Sequence, residues 1–424
     1  MNSDNLKYVI REFVERTLPA GRPRALVLPT ETGKVIGLAG VRRSGKTFLF
    51  FETIRRLTAS GVDRRRVVYL NFEDDRLHPL MAEELDLVLR CWRELFPETT
   101  GQRLYLFLDE VQSAPGWERW VRRLRDTEDV QIFVTGSSSR LLTRDLAAAL
   151  RGRSVSFEIF PLSFREVLGF RGIGVAPHSA RSESRIRHEL ERYLLWGGFP
   201  EIVLAEEAML PLILEEYASL MLYRDVVERY GVRNEKLMRA LLRHCFRNTS
   251  SLLNASKLHR DFKSLGFAVA KNTLFDYLGY LEDSFLIHLV PKAEASLRKQ
   301  AHNPRKLHVV DTGLVAAFRA FPARDLGHKL ETAVFLELRR RRKDIFYHAD
   351  GVEVDLCDGG GTMFLNVCWS LEDAETVRRE RAAAQFGAAR WPKAQGRLLY
   401  HEYRPGVERE IPGAMPAWRW LLGP

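Results

Sequence analysis

The chain has 424 residues, which is more than one compact core accommodates, so length alone predicts roughly two to four domains. Hydrophobic residues make up 46% and charged residues 28% of the sequence, a balance that is typical of globular domains and excludes a chain that is disordered throughout. The 65 basic and 55 acidic residues give a formal charge of +10. This excess favours DNA or another polyanion as a partner, although basic residues that bind a nucleotide would also account for it.

The four cysteines are scattered and form no Cys-x-x-Cys pair, which argues against a zinc site and against a disulfide framework. They are Cys91, Cys245, Cys357 and Cys368. Residues 1–19 are amphipathic and charged and lack the apolar region of a signal peptide. No apolar run approaches the ~20 residues that cross a bilayer. We therefore expect a cytoplasmic protein without a membrane partner.

Short apolar or β-branched runs alternate with amphipathic stretches up to about residue 160. The runs predict strands at Val35–Ala39, Val67–Phe72, Leu104–Leu108, Gln131–Thr135 and Ser154–Phe160. The stretches between them predict helices at Thr47–Leu57, Met81–Leu95 and Trp117–Arg125. Strands that alternate with helices form βαβ units, so we expect a parallel sheet covered by helices on both faces.

The pattern becomes helical from Pro161 onward. Helices are predicted at Leu162–Leu168, Arg185–Leu195 and Leu210–Tyr230, and the Gly- and Ser-containing stretch Gly172–Glu183 predicts an exposed loop. Paired glycines followed by a proline, at 197–200, predict a turn between helices.

Three helical stretches and an extended run, Phe285–Val290, follow one another between Asn234 and Gln300. This order is the outline of a winged helix-turn-helix. Its second and third helices carry side chains that suit contacts with phosphates, namely Lys257, His259, Arg260, Lys263, Lys271 and Asn272. Acidic residues on the third helix argue against base reading, and winged helices also bind proteins. Contact with DNA and a structural or protein-binding role therefore both stay open.

The tail alternates strands and helices again. Strands are predicted at Leu307–Val310, Val352–Cys357, Met363–Cys368 and near Arg397–Tyr403, with helices at Leu330–Arg342 and Ala374–Phe386. This alternation predicts a small α/β domain.

A phosphate-binding loop is predicted directly after the first strand. The strand is followed by Gly-x-x-x-x-Gly-Lys-Thr, which comprises Gly40, Val41, Arg42, Arg43, Ser44, Gly45, Lys46 and Thr47. The glycines permit a tight loop whose N–H groups point at phosphate oxygens, and the next helix directs the positive end of its dipole at the same anion. Lys46 would contact the β- and γ-phosphates of a nucleotide, and the Thr47 hydroxyl would bind magnesium.

Two acids follow the third predicted strand, at the sheet edge where ligands bind in open α/β folds. Asp109 would hold the magnesium ion, directly or through water, and Glu110 would polarise the attacking water. The alternative is that both acids cap the next helix. The phosphate loop at the end of a different strand favours the functional interpretation.

The fourth predicted strand ends in small polar residues. Thr135, Ser137 and Ser138 are candidates for a sensor that contacts the γ-phosphate and the water, and Ser137 is included among the nucleotide-binding residues. Capping of the next helix is the alternative, and both roles are compatible.

With these motifs, the chain resembles the prokaryotic AAA+-like P-loop ATPases that carry a C-terminal domain of unknown function, which are related to archaeal ATPases. The resemblance extends over nearly the whole chain through further motifs, namely 69–74, 160–164, 197–200, 223–230, 271–274, 280–283, 311–314 and 353–355. It implies an α/β P-loop core with an additional strand and the order 5-1-4-3-2, ATP and magnesium as ligands, and the capacity to form an oligomer.

The resemblance also implies an arginine that stabilises the transition state of hydrolysis. The candidates are Arg140, Arg151, Arg153 and Arg224, of which Arg224 lies in a family motif. The alternative for Arg224 is an ion pair with Asp225 or Glu228.

The tail resembles the PD-(D/E)xK nuclease fold. In that chemistry Asp355 would bind a metal, Glu331 on the preceding helix would add a ligand, and the next strand would supply an acid and a lysine. That strand instead reads Asn366-Val-Cys368. We therefore expect a nuclease-like domain without cleavage activity, in which Glu331, Glu353 and Asp355 are remnants or form ion pairs.

Four regions result: an ATPase core at 1–160, a helical lid or linker at 161–232, a winged helix at 233–304 and the nuclease-like domain at 305–424. The leading hypothesis is magnesium-dependent ATP hydrolysis coupled to a conformational change of the C-terminal module, with DNA or a protein as partner. The alternatives are a nucleotide-gated scaffold with negligible turnover and an ATP-dependent nuclease.

Overall fold

The computed structural model describes residues 2–138, 150, 152–176, 179–294, 296–318, 325–341, 344–403 and 406–423. The chain divides into two compact units, Met1–Ile159 and Phe160–Pro424.

Unit 1 is built on a five-stranded sheet. The strands are β1 (Val35–Ala39), β2 (Val67–Asn71), β3 (Leu104–Asp109), β4 (Val130–Gly136) and β5 (Ser154–Glu158). Their order is β2-β3-β4-β1-β5, and every neighbouring pair is parallel. This is the order predicted from the resemblance, counted from the opposite edge, so the predicted fold class is confirmed.

Four helices of unit 1 are described: α1 (Ser3–Glu15), α2 (Lys46–Ala59), α3 (Leu87–Leu95) and α4 (Trp117–Thr127). Each buries one apolar face, as the periodicity predicts. The predicted helix Met81–Leu95 is shorter, because a 3-10 turn at Ala82–Asp86 precedes α3. There the Glu84 carboxylate accepts the Met81 N–H at 2.9 Å and closes a tighter turn.

The core of unit 1 supports the ends of its central strands. All residues of β1 and β3 are buried. Phe107 stacks on Phe133 with 4.3 Å between ring centroids, and Phe50 of α2 meets Phe107 edge-on at 5.1 Å. Burial of each such ring stabilises the fold by about 1.5–3 kcal/mol. The loop after β1 and the acids after β3 therefore extend from a rigid layer.

Unit 2 begins with helices: α5 (Phe164–Phe170), α6 (Ala180–Trp196), α7 (Pro200–Leu204) and α8 (Leu210–Leu220), which continues as a π-helix over Met221–Glu228. The prediction of a loop through Glu183 is wrong at its end, because α6 starts at Ala180. The Ser179 hydroxyl accepts the Ser182 N–H at 3.3 Å and caps that helix.

The middle of unit 2 contains α9 (Glu235–Arg247), β6 (Ser251–Leu253), α10 (Ala255–Ser264), α11 (Lys271–Asp283), β7 (Ile287–Val290), α12 (Leu297–His302) and β8 (Arg305–Val309). The three strands form an antiparallel sheet in the order β6-β8-β7. Helix α11 buries Leu274, Tyr277, Leu278 and Leu281, which follow the predicted spacing.

The C-terminal part holds α13 (Leu326–Arg340), β9 (Ile345–Asp350), β10 (Val352–Asp358), β11 (Met363–Leu371), α14 (Ala374–Arg390), β12 (Gln395–Tyr403), α15 (Val407–Glu410), β13 (Ala414–Pro416) and α16 (Ala417–Leu421). The mixed sheet has the order β13-β12-β11-β10-β9. Among the helices that are described in the two units, none combines the length and apolar character needed to cross a membrane.

Candidate functional site

The loop between β1 and α2 requires glycine at both Gly40 and Gly45, for two different reasons. Gly45 has φ 93°, a left-handed conformation that glycine adopts without strain. Gly40 is required by packing, since a Cβ there would lie 2.1 Å from the carbonyl oxygen of Ile159. The loop is therefore held tightly against the end of the sheet.

The ammonium group of Lys46 lies inside this loop. Lys46 is the first residue of α2 and only 4% exposed. Its Nζ donates to the carbonyl oxygens of Gly40 at 3.0 Å and Val41 at 3.2 Å, and lies 4.0 Å from Glu110. A buried positive charge is thus placed where a phosphate would enter the loop.

Ser44 leaves a polar atom in the loop that fits a bound anion. Its side chain is fully buried, and its Oγ has no hydrogen-bond partner among the described residues. An unpaired buried hydroxyl costs about 1–3 kcal/mol. The first N–H groups of α2 also lack partners within the helix, as at any helix start, and attract anions. The Ser44 carbonyl, by contrast, accepts a 2.9 Å bond from Arg24 Nη1, which fixes the loop from outside.

Asp109, at the end of β3, gathers three hydroxyl groups. It is 1% exposed and accepts hydrogen bonds from Thr47 at 2.7 Å, from Tyr69 at 2.9 Å and from Thr135. Burial, and then the charge of Glu110, raise the pKa of the Asp109 carboxyl, while the hydroxyl groups oppose this shift. The two predicted magnesium ligands, Thr47 and Asp109, are therefore hydrogen-bonded to each other. A bound cation would stabilise the charged form of the Asp109 carboxyl.

Glu110 has a strained backbone and a fixed side chain. Its φ is 52°, which is uncommon for a residue with a side chain and is typical of functional positions. Its N–H donates to the Thr135 hydroxyl at 3.0 Å, and its carboxylate accepts a 2.6 Å bond from Gln112 Nε2. Glu110 is 8% exposed, so its carboxylate is largely shielded from bulk water.

The polar end of β4 brings Thr135 to both acids. Ser137 and Ser138 follow it and are also buried. The contacts of Thr135 place a hydroxyl between the acidic pair and the loop, whereas the sensor role of Ser137 stays a prediction.

The arginines of the loop differ in their surroundings. Arg42 forms a bidentate ion pair with Glu73, which follows β2, at 3.2 and 3.1 Å. Arg43 is exposed and has φ 67°. The contact of Arg42 with Glu73 was not predicted from the sequence.

The candidate transition-state arginines lie in different parts of the chain. Arg224 of unit 2 is exposed and pairs with Glu228 at 3.0 Å, one of the two ion pairs that were the alternative for it. Arg153 of unit 1 pairs with Asp126. Arg140 and Arg151 lie outside the described residues.

Sequence reasoning missed three side chains that contact the site: Tyr69, Gln112 and Arg24. Tyr69 belongs to β2, whose pairing beside β3 aligns Asn71 with Asp109 and so directs Tyr69 to the same region. The position of Gln112, two residues after Glu110, was the only local signal. Arg24 lies in an irregular segment before β1 and has no pattern that would single it out.

The candidate residues of the tail also converge, within unit 2. Glu331 of α13 and Glu353 and Asp355 of β10 all contact the ammonium group of Lys306, which comes from β8. The prediction placed no lysine here, because it considered only β11.

Two family descriptions match the chain: an AAA domain over residues 32–168 and a domain of unknown function, DUF8612, over residues 187–325. Protein MJ1544 of Methanocaldococcus jannaschii is 34% identical over 360 residues, which cover 82% of this chain and 78% of the relative. A protein of Haemophilus influenzae is 29% identical over 305 residues, covering 72% of this chain and 74% of the relative.

Solved structures with some likeness include the ORC1 protein of Aeropyrum pernix in complex with DNA, at 14% identity and a TM-score of 0.28, covering 74% of this chain and 90% of that one. AMPPCP-bound DnaA from Aquifex aeolicus has 14% identity and a TM-score of 0.26, and the match covers 65% of this chain and 85% of that one. Scores this low carry no inference about what this chain binds. The family matches and the identity to MJ1544 establish that the chain belongs to a prokaryotic family of AAA+-like P-loop proteins with a C-terminal domain of unknown function.

Proposed function

We propose that this protein binds and hydrolyses ATP in a magnesium-dependent reaction at the site formed by the loop after β1 and the acids after β3. The observation that carries the proposal is the convergence of Lys46, Thr47, Asp109 and Glu110. They come from two segments that are 62 positions apart, measured from Thr47 to Asp109. A structural ion pair would need only some of these groups, whereas phosphoryl transfer needs all of them.

Each residue has a specific role in this proposal. Lys46 and the N–H groups of the loop would bind the β- and γ-phosphates, and the Ser44 hydroxyl would gain a partner. Thr47 and Asp109 would hold magnesium, which supplies charge neutralisation of the phosphates when bound. Glu110 would accept a proton from the attacking water as that water bonds to the γ-phosphorus and the bond to the bridging oxygen breaks, yielding ADP and phosphate.

The Thr135 hydroxyl supports this arrangement because it fixes both acids. It donates to the Asp109 carboxylate and accepts the Glu110 backbone N–H, so it connects the Asp109 side chain to the backbone of Glu110. The strained backbone of Glu110 is maintained by the same contact. Arg224 is our choice for the arginine that stabilises the transition state, and Ser137 for the γ-phosphate sensor.

We propose that unit 2 presents a winged helix at 233–304, between the helical segment 161–232 and the domain 305–424. The order α9-β6-α10-α11-β7-α12-β8, with a three-stranded antiparallel sheet, supports this assignment, although β8 (Arg305–Val309) lies just beyond residue 304. Residues 233–304 contain twelve basic and six acidic residues, so they hold +6 of the net charge of +10. Exposed basic side chains on α10 and α11, Lys257, Arg260, Lys263 and Lys271, favour a polyanion such as DNA as the partner.

A nucleotide-gated switch with slow turnover is the second candidate, and one contact favours it. Gln112 Nε2 donates to the Glu110 carboxylate at 2.6 Å. This hydrogen bond engages the same carboxylate that would accept the proton of water. In a switch this bond would persist in the nucleotide-bound state. Hydrolysis would then be slow although binding is tight.

Steady-state release of phosphate by the purified full chain tests the proposal. Wild type should show magnesium-dependent turnover, and Glu110→Gln should lower kcat by at least about tenfold while it retains ATP binding, because the amide cannot take up the proton. Glu118→Gln, on the surface of α4, is the matched control. Turnover that is equal in wild type and Glu110→Gln would disprove the assignment of the base. Tight binding without turnover in wild type would favour the switch.

A further inference from the structure

A second polar cavity, of about 850 Å³, lies within unit 2 and is not used by the proposed ATPase. It opens beside the end of β6 and is bordered by β10, β11 and α14, with Lys306, Glu331, Asp355, Asn366 and Glu380 among the residues that line it. Four of these five are charged at neutral pH in their ordinary states. The carboxylates in this cavity require positive charge to balance them.

Lys306 contributes the charge at its centre. Its Nζ lies 2.7 Å from Glu331, 2.9 Å from Asp355 and 3.1 Å from Glu353. Lys306 is 2% exposed, and a lysine is buried to this extent only where carboxylates compensate the lost hydration. The three carboxylates come from α13 and β10, while the lysine comes from β8. One ammonium group therefore joins three separate elements.

The lining also includes the amide of Asn366, beside the ion pair of Arg379 with Glu380 at 2.9 Å. Asn366 is 6% exposed, and its Oδ1 has no hydrogen-bond partner among the described residues. Its amide nitrogen is already used, because it donates to the Glu353 carbonyl at 3.2 Å and to Glu380 at 3.4 Å. Carboxylate and amide oxygens are the ligands that magnesium and manganese ions prefer. The donor set thus suits a divalent cation, and an ammonium group lies in it.

The present arrangement of these groups is that of an ammonium site. No group of three or more His, Cys, Asp or Glu side chains within the described parts of the chain could hold a metal ion as placed. We propose that the ammonium group of Lys306 is the resident cation of this cavity, that it takes the place of a divalent metal ion, and that its removal converts the cavity into a site for magnesium or manganese.

A cation fixed to the chain limits the chemistry available to unit 2. A cation that is covalently part of β8 cannot leave, bind a phosphate and activate water as an exchangeable metal ion does. The carboxylates and Lys306 then stabilise the contact between β8, α13 and β10 rather than catalyse cleavage. All metal dependence of the protein would reside in the nucleotide site of unit 1.

Binding of manganese to the nucleotide-free full chain, followed by electron paramagnetic resonance, tests this inference without recourse to ATP hydrolysis. Wild type should show no Mn²⁺ binding that depends on Asp355. Lys306→Met should bind about one Mn²⁺ per chain, and the double variant Lys306→Met with Asp355→Asn should lose that affinity by about tenfold or more. Lys299→Met, at a neighbouring position outside the cavity, should behave as wild type.

Folding of the variants is followed in parallel by thermal denaturation. We expect Lys306→Met to melt at a lower temperature than wild type and to regain part of the difference in Mn²⁺, whereas the double variant should regain none. A folded Lys306→Met protein that binds no Mn²⁺ would overturn the inference. So would Mn²⁺ binding by wild type that Asp355→Asn abolishes. If neither Lys306→Met nor Lys306→Gln folds, the comparison of wild type with Asp355→Asn decides. The absence of Asp355-dependent Mn²⁺ binding would then support Lys306 as the resident cation.

Neither outcome depends on the proposed ATPase. The measurement uses no nucleotide, and the Lys46→Ala background should give the same Mn²⁺ result. A protein that fails to hydrolyse ATP but gains the manganese site in Lys306→Met would disprove only the proposed function.

Discussion

The hydroxyl of Thr47 donates a 2.7 Å hydrogen bond to the carboxylate of Asp109. Thr47 belongs to the first turn of α2, and Asp109 ends β3, yet β3 and β1 are not neighbours in the sheet because β4 lies between them. The contact therefore spans the end of β4. Thr135, on β4, also bonds to Asp109, so the inserted strand contributes a hydroxyl to the site.

Lys46→Ala should abolish measurable ATP binding. Its ammonium is the one buried cation that contacts the phosphate loop within the described part of unit 1, and charge-assisted hydrogen bonds contribute about 1.5–3 kcal/mol each. Two such bonds to phosphate correspond to a loss of affinity of at least about a hundredfold. Equilibrium binding of a fluorescent ATP analogue measures this.

Lys34→Ala is the matched control, because Lys34 is exposed just before β1. It should leave the dissociation constant unchanged. Undiminished binding by Lys46→Ala would contradict the assignment of the loop as the nucleotide site.

Thr135→Val should lower kcat and destabilise unit 1. The substitution keeps the shape of the side chain but removes the hydroxyl that bonds to Asp109 and accepts the Glu110 N–H. Leaving these buried groups without a partner should cost about 1–3 kcal/mol in the free energy of unfolding. We expect kcat to fall by about tenfold or more, since the Asp109 carboxylate and the Glu110 backbone are no longer held by a common hydroxyl.

Thr135→Ser provides the control, because it retains the hydroxyl. It should recover most of the turnover, and urea denaturation should show a smaller loss of stability. Equal kcat values for the Val and Ser variants would show that the hydroxyl has no part in positioning the acids.

Gln112→Ala should raise turnover if the contact of Gln112 with Glu110 restrains the carboxylate. The 2.6 Å bond must be broken or shared before Glu110 can accept a proton from water. A bond to a charged group contributes about 1.5–3 kcal/mol, so the increase in kcat should not exceed about a hundredfold. Gln102→Ala, which alters an exposed glutamine that bonds to the Glu98 carbonyl, is the control. A fall in kcat for Gln112→Ala alone would instead show that Gln112 positions Glu110.

The phosphate loop and the acidic pair were predictable because their residues are local in sequence. Gly40 to Thr47 and Asp109–Glu110 each follow an apolar run, and the structure brings the two segments together. The order of the strands came from the family resemblance rather than from periodicity. Strands β6, β9 and β13 were missed. β9 ends in His348-Ala-Asp350 without an apolar alternation, while β6 and β13 have only three residues each, and β13 ends in a proline.

Contacts that depend on strand register or on another element could not be predicted from local patterns. Tyr69 reaches Asp109 because β2 lies beside β3, and Lys306 reaches Asp355 across 49 positions of sequence. A buried lysine on a strand has no periodic signal that distinguishes it from an exposed one. The sequence analysis sought the lysine only on β11, where it is missing, and did not consider Lys306 on β8.

Two histidines of unit 2 are buried in the neutral form, and each should contribute a loss of stability as the pH falls below about 6.5. His308 is 0% and His288 is 9% exposed. Burial lowers the pKa of His288 to about 3 and the pKa of His308 well below its usual value, with the charge of Lys306 adding to the shift of His308. The unfolded chain binds protons on both rings below about pH 6.5 while the folded chain does not, so acid favours unfolding. Each ring should contribute up to about 1.4 kcal/mol per pH unit.

His288→Phe isolates this effect. The imidazole packs between Phe160 and Phe335, with ring centroids 6.1 and 5.5 Å away, so a phenyl ring fits the same aromatic surroundings. Burial raises the pKa of the Glu331 carboxyl to about 8 and that of Asp311 to about 6. These two groups give the free energy of unfolding a pH slope of opposite sign. The quantity to measure is therefore the difference in slope between variant and wild type. Urea denaturation between about pH 7.5 and 5, with hydrogen exchange to assign the transition to unit 2, should show a slope reduced by about one proton in His288→Phe. His302→Gln, at an exposed position of α12, is the surface control. If the pH slope of the unfolding free energy is unchanged in His288→Phe, then His288 takes up its proton in the folded state as well.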